Sequence, residues 1–289
     1  MNNFFAENYA MLADAETSIP RRFEKIVRRD PGRLALKDSE CSLTYGELQR
    51  AANRIAHAIA ASRPGGGQVV ALLFELGIDA IAAVLAVLKS GNIYVALDPS
   101  VPVKQLKAIL GDSQARLIVS ANRHRGIAEQ LTSLDRPLVN IDLIDDYSDA
   151  DIASAISPND LAVLTYTSGS TGTPKGVAHT HANLLSKWSA YTQHKQISPN
   201  DRVSLLHSLS FAASHGNFLI ALLNGAALLP FDIKAAGILL LAAWLDDERI
   251  SITHHSHAVL NTVLDYAFER RLPDRRLDIR EIFAAGTLD

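Results

Sequence analysis

The reading of this chain is decided by LAVLTYTSGSTGTPKGV, residues 161–177. Residues 161–166 are apolar and strand-forming. A run of hydroxyls and glycines follows: Thr167, Ser168, Gly169, Ser170, Thr171, Gly172 and Thr173, closed by Pro174, Lys175 and Gly176. A strand that runs into such a loop offers backbone N–H groups, hydroxyls and one ammonium to a single anionic ligand, the donor set a phosphate chain needs. A flexible Ser/Gly linker has a similar composition, but this run lies between apolar segments and carries an ordered Pro-Lys-Gly. The P-loop of ordinary nucleotidases needs Gly-Lys followed by Ser or Thr, so that the hydroxyl can hold magnesium. Here Lys175 follows Pro174 and precedes Gly176, so the loop is a phosphate cradle of another kind.

Working outward, apolar runs of strand length alternate with stretches of helical periodicity. Before the loop, the pattern predicts a helix over 18–29, a strand over 34–37, a helix over 42–61, and a strand over 69–74. A helix over 78–89, a strand over 93–97, a helix over 103–110 and strands over 116–120 and 138–143 follow. After it come a helix over 179–191, a strand over 202–206, a helix over 218–223, a strand over 226–229 and a helix over 235–248. A strand over 250–254, a helix over 257–270 and a strand over 280–284 complete the reading. Such alternation predicts an α/β fold with largely parallel sheets flanked by helices. The acid-rich connector 145–160 suggests two α/β subdomains, 1–150 and 151–289.

Composition narrows the function classes. The 289 residues are 48% hydrophobic and 20% charged, which suits a folded chain with a normal core. A net charge of −3 gives no reason to expect nucleic acid or an anionic membrane as a partner. Cys41 is the single cysteine, so no intramolecular disulfide can form, as suits a cytoplasmic protein. The first residues, MNNFFAENYAMLADAE, lack the basic start of a secretory signal. The longest apolar run, 69–88, carries Glu75 and Asp79, which argues against a membrane span.

YTSGSTGTPKGV resembles the signature loop of the adenylate-forming enzymes, which include acyl-CoA synthetases, luciferases and the adenylation domains of nonribosomal peptide synthetases. LTYGEL (43–48), LKSGNIYVALDP (88–99) and SFAASHGNFLIALLNGA (210–226) look like three further family blocks in the family's order. The second and fourth look most like peptide-synthetase adenylation domains, with Asn92 and Ala96 as departures. The resemblance implies the N-terminal part of the adenylate-forming fold. It also implies a two-step reaction: a carboxylate attacks the α-phosphate of ATP to give an acyl-adenylate and pyrophosphate. A thiol, the phosphopantetheine arm of a carrier protein or coenzyme A, then takes the acyl group.

In that scheme Thr167, Ser168, Gly169, Ser170, Thr171 and Gly172 would wrap the β- and γ-phosphates. Lys175 would add a positive charge on the phosphates or anchor the loop; a solvated surface lysine is the plainer alternative. Gly286 and Thr287 would touch the nucleotide. Phe211, Ala212, Ala213, Gly216, Phe283 and Ala285 would line the acid pocket, and His215 is either a pocket or a core residue. Peptide-synthetase domains follow the Phe of the fourth block with an Asp that holds the substrate's α-ammonium. Ala212 stands there, and a buried ammonium would lose its partner. The expected substrate is therefore an aryl, hydroxy, β-amino or fatty acid.

His254, His255 and His257 have a spacing compatible with metal ligands. A strand-to-helix corner accounts for them better, and no protein metal site is expected. His179 and His181 read as structural, and Trp188 and Trp244 as core or helix-face aromatics. Magnesium would accompany ATP, with its ligands mostly beyond Asp289, where the family carries an aromatic-Gly-Pro-Thr-Glu block and a mobile C-terminal domain. Two readings follow for the chain itself: the N-terminal piece of a longer ligase, or a non-catalytic nucleotide- or partner-binding remnant.

Overall fold

The computed structural model describes residues 17–167, 175–255, 259–263, 279 and 281–284. The chain enters through helix α1 (Ile19–Arg29), which has proline in its first turn and Arg28 and Arg29 in its last, as proline geometry and the helix dipole favour. Strands β1 (Leu34–Lys37) and β2 (Ser42–Thr44) follow, then α2 (Tyr45–Ser62). The helix predicted from residue 42 thus begins at Tyr45. The reason is a capping box: Thr44 Oγ1 accepts from the Glu47 N–H, and the Thr44 N–H donates to Glu47 Oε2 at 2.8 Å.

Next come β3 (Val69–Leu73), α3 (Ile78–Lys89), β4 (Ile93–Leu97), α4 (Val103–Asp112) and β5 (Leu117–Ser120). Helix α5 (Arg125–Leu131), which the sequence reading did not foresee, leads to β6 (Leu138–Asn140). The strand predicted over 138–143 stops at Asn140, whose Oδ1 accepts from the Asp142 N–H and turns the backbone into a single 3₁₀ turn.

After the connector come β7 (Leu161–Thr167), β8 (Lys175–Thr180) and α6 (His181–Lys195). Residues 175–180 form a strand where the sequence reading began a helix at 179. Thr180 is the N-cap that holds the helix start at His181, bonded reciprocally with Asn183. The remaining described elements are β9 (Arg202–Leu205), α7 (Ala212–Leu222), β10 (Ala227–Pro230), α8 (Ile233–Ala236), α9 (Leu241–Asp247), β11 (Ile252–His255) and β12 (Glu281–Ala284). The helix predicted over 235–248 is broken because Gly237 adopts φ +88, outside the helical region. The helix predicted over 218–223 begins at Ala212. Of 257–270, only 259–263 lies within the described residues, and it is helical.

These strands form two six-stranded sheets, in the orders β6-β5-β3-β4-β7-β8 and β12-β11-β9-β10-β1-β2. Each is parallel except for one antiparallel edge pair, β7 with β8 and β1 with β2. Each sheet draws strands from both sides of residue 150. The parallel strands read as unbroken apolar runs because helices cover them. Helix α3 is buried at nearly every position, and α2 packs beside it. Tyr45 is fully buried, and its hydroxyl donates to the Ala226 carbonyl at 2.8 Å, tying the start of α2 to the second sheet.

Candidate nucleotide and acid site

The phosphate-loop candidate is the connection of an edge hairpin. Thr167 ends β7 and pairs with Lys175, which opens β8; Tyr166 pairs with Gly176. Ser168, Gly169, Ser170, Thr171 and Gly172 lie outside the described residues, as do Ala285, Gly286 and Thr287. Strand β7 runs parallel to β4, so the loop leaves the carboxyl end of the sheet, the edge where open α/β sheets bind ligands. Lys175 is exposed, and no carboxylate pairs with it among the described residues. Its ammonium is therefore available to an anion.

The root of the hairpin is braced. Tyr166 Oη donates to Asp112 Oδ2 at 2.6 Å, and burial together with this carboxylate pushes the phenol's pKa up. A Cβ on Gly176 would press on the Tyr166 ring at 3.1 Å, so the glycine lets the two strands close over that ring.

Four of the residues expected to line an acid pocket, Phe211, Ala212, Ala213 and Gly216, lie at the start of α7. Phe211 is the N-cap residue and is 60% exposed; Ala212 and Ala213 form the first turn, which holds no acidic residue. Gly216 lies one turn further on, under Trp188 of α6: a Cβ there would sit 2.3 Å from the indole Cη2. Trp188 thus fills the space beside Gly216. Phe283 lies in β12, paired with His254 of β11.

His215 is buried, with Tyr94 Oη 2.7 Å from Nδ1 and Thr165 Oγ1 2.9 Å from Nε2. Burial lowers its pKa to about 4. Sequence reasoning named His215 but missed both partners. The available signal was Thr165 itself, a hydroxyl inside an otherwise apolar strand. His254 bonds Asn217 Oδ1 through Nδ1 and Tyr191 Oη through Nε2 at 2.8 Å, which occupies both ring nitrogens. Among the described residues no group of three His, Cys, Asp or Glu side chains is placed to hold a metal. His181 is buried as well, its Nδ1 accepting from the Ile19 N–H at 3.3 Å.

Two open clefts of about 460 and 550 Å³ lie at the carboxyl ends of β3, β4 and β10 and share Glu75, Arg123 and Asp232. Lys175 and Phe211 line neither. No helix among the described residues is long and apolar enough to cross a membrane.

Residues 23–286 match the family described as AMP-binding enzyme. A plipastatin synthase subunit of Bacillus subtilis (strain 168) is 35% identical over 273 residues, covering 91% of this chain and 10% of that protein. Tyrocidine synthase 1 of Brevibacillus parabrevis is 31% identical over 77% of this chain and 21% of its own length. Among solved structures, the nonribosomal peptide synthetase FmoA3 superposes with a TM-score of 0.86 at 25% identity, over 94% of this chain and 29% of that one. VinN shares the fold with a TM-score of 0.83 at 22% identity, over 95% of this chain and 69% of its own. The chain spans a tenth or less of the length of the plipastatin synthase subunit, Tyrocidine synthase 2 and Surfactin synthase subunit 1, all of which it matches. With a match that runs through nearly the whole sequence and a fold shared with a nonribosomal peptide synthetase structure, the chain belongs to the AMP-binding enzyme family.

Proposed function

We propose that this chain carries the phosphate-loop part of a site that activates a carboxylic acid as its acyl-adenylate at the expense of ATP. The observation that carries the reading is the β7–β8 hairpin, whose hydroxyl- and glycine-rich connection is flanked by an exposed Lys175 with no carboxylate partner among the described residues. Thr167 to Gly172 would donate to the β- and γ-phosphates, and Lys175 would offset their charge. The donors fit: N–H, O–H and ammonium groups, with no acid among residues 167–176. Magnesium would enter with the nucleotide phosphates and neutralise charge there. The substrate carboxylate oxygen then bonds to the α-phosphorus as the bond to the bridging oxygen breaks, and pyrophosphate leaves with the electron pair. The chain's part is to position the reactants and stabilise charge.

The acid is not an ordinary α-amino acid in this reading. The first turn of α7 holds Ala212 and Ala213 and no carboxylate, so nothing there balances a buried ammonium. The positive end of the 11-residue helix favours an anion instead. An aryl, hydroxy, β-amino or fatty acid fits better. The acyl group would pass to a carrier-protein phosphopantetheine, because the relatives matched here are peptide synthetases; coenzyme A is the alternative acceptor.

Hydroxylamine trapping on the native polypeptide, with a panel of acids and ATP–magnesium, tests this. Hydroxamate from one of the four acid classes is expected. Strong turnover of a standard α-amino acid overturns the acid class. No hydroxamate from any acid, with no ATP binding, overturns the adenylating reading and leaves a non-catalytic partner-binding domain. Parallel assays with coenzyme A and with a phosphopantetheinylated carrier separate the two acceptors.

A further inference from the structure

Helix α7 is bonded to both sheets from opposite sides. His215 turns towards the first sheet, where it meets Tyr94 of β4 and Thr165 of β7. Asn217, two residues on, turns towards the second sheet, where its Nδ2 donates to the Ser204 carbonyl of β9 at 3.3 Å and its Oδ1 meets His254 of β11. Residues two apart on a helix point to nearly opposite faces.

Among the described residues, Tyr94 Oη and Thr165 Oγ1 each bond His215 and no other group. A neutral imidazole donates through one ring nitrogen and accepts through the other, so the one ring engages both hydroxyls at once. His215 is 2% exposed, and Tyr94 and Thr165 are buried with it. Three apolar side chains of similar shape would pack the same space without a directional constraint. A satisfied polar chain fixes one register and one height.

That height matters because of what each end carries. Thr165 stands two residues before Thr167, which ends β7 and is the root of the loop. His215 lies one turn beyond Ala212 and beside Gly216, in the helix that opens at Phe211. We propose that His215 is a positioning residue: the Tyr94–His215–Thr165 chain sets the spacing between the root of the 167–175 loop and the first turn of α7, and so couples nucleotide binding to acid binding. This inference rests on the adenylating reading above.

The test is calorimetric titration of the native polypeptide with inorganic pyrophosphate and with ATP–magnesium. Each titration is run with and without the acid that gives most hydroxamate in the panel. In the wild type, saturating acid is expected to tighten ATP binding by about fivefold or more. In His215→Phe, which keeps a ring and loses both bonds, that factor falls to about one. His215→Asn, whose amide can serve one arm, recovers part of it. Thr165→Val and Tyr94→Phe each remove one hydroxyl at nearly constant shape, and they carry the test if His215→Phe does not fold. A folded His215→Phe, or both single-arm variants, with the wild-type coupling factor overturns the inference and leaves a histidine that only packs. A wild type that binds neither pyrophosphate nor ATP overturns the loop reading and this inference with it.

Discussion

Replacing Gly216 by alanine tests how closely α6 and α7 are locked together. In an open helix interior the change stabilises by about 0.5–1 kcal/mol, because glycine loses more backbone freedom on folding. Here the new Cβ would lie 2.3 Å from Cη2, 2.4 Å from Cζ2 and 2.7 Å from Cζ3 of Trp188. The indole cannot swing away freely, since it packs in a T-shaped contact with the Tyr191 ring at a centroid distance of 5.7 Å. Overpacking of this kind costs about 1–3 kcal/mol, so the net loss should be about 0.5–2 kcal/mol. Trp188→Leu removes the obstructing ring. In that background Gly216→Ala should turn neutral or stabilising, with a coupling energy of about 1–2 kcal/mol in the double-mutant cycle. Urea unfolding followed by circular dichroism measures all four proteins. Additivity within about 0.5 kcal/mol, or a Gly216→Ala variant as stable as wild type, would refute the steric reasoning.

Three more outcomes are expected. Lys175→Ala should weaken pyrophosphate binding about tenfold or more, the loss of one charge-assisted contact. It should leave the melting temperature unchanged, because the side chain is exposed on an edge strand; calorimetry and thermal unfolding check the two halves. His181 is 1% exposed, and burial lowers its pKa to about 4, below the unfolded value of about 6.5. Its neutral form therefore stabilises the fold fully above pH 6.5, and roughly 3 kcal/mol is lost as pH falls from 6.5 to 4. His181→Gln should remove one proton from the uptake on unfolding, read from the urea midpoint against pH; an unchanged slope would refute it. The Lys89 side chain is fully buried on α3 and bonded to Glu24 of α1. Lys89→Met should cost about 1–3 kcal/mol by leaving the carboxylate unpaired, and Glu24→Gln in the same chain should recover part of that in a denaturant series.

Much of this molecule is legible in its sequence, and the misses share a cause. Val69–Leu73 and Ile93–Leu97 could be read because an unbroken apolar run of five residues between turn signals has few alternatives to a buried strand. Lys175–Thr180 could not. KGVAHT has no alternation, and it is a strand because β7 offers it a partner across the hairpin. Ser42–Thr44 is a strand for the same reason, against β1. At the site, the loop is plain from its glycines and hydroxyls, since those residue types are themselves the chemistry. His215 could only be left open between pocket and core. What decides its role is Tyr94, 121 residues away, and no local pattern records that contact. Trp188 beside Gly216 was hidden in the same way, as two unremarkable helix positions that meet only after α6 and α7 pack.

The placement of β1 has a consequence for how the protein is made. Leu36 pairs with Leu228, about 190 residues later in the chain. At roughly 5–20 residues per second, a ribosome needs about 10–40 s to deliver that partner. For most of this interval the second sheet has only β1 and β2 to start from, joined by β9 shortly before β10, while the strands of the first sheet, β3 to β8, emerge one after another. The first sheet can therefore close during synthesis, and the second must wait for β10. A pause in translation just after residue 180 would lengthen the time for which the open edge of β1 is available to a chaperone or to another nascent chain.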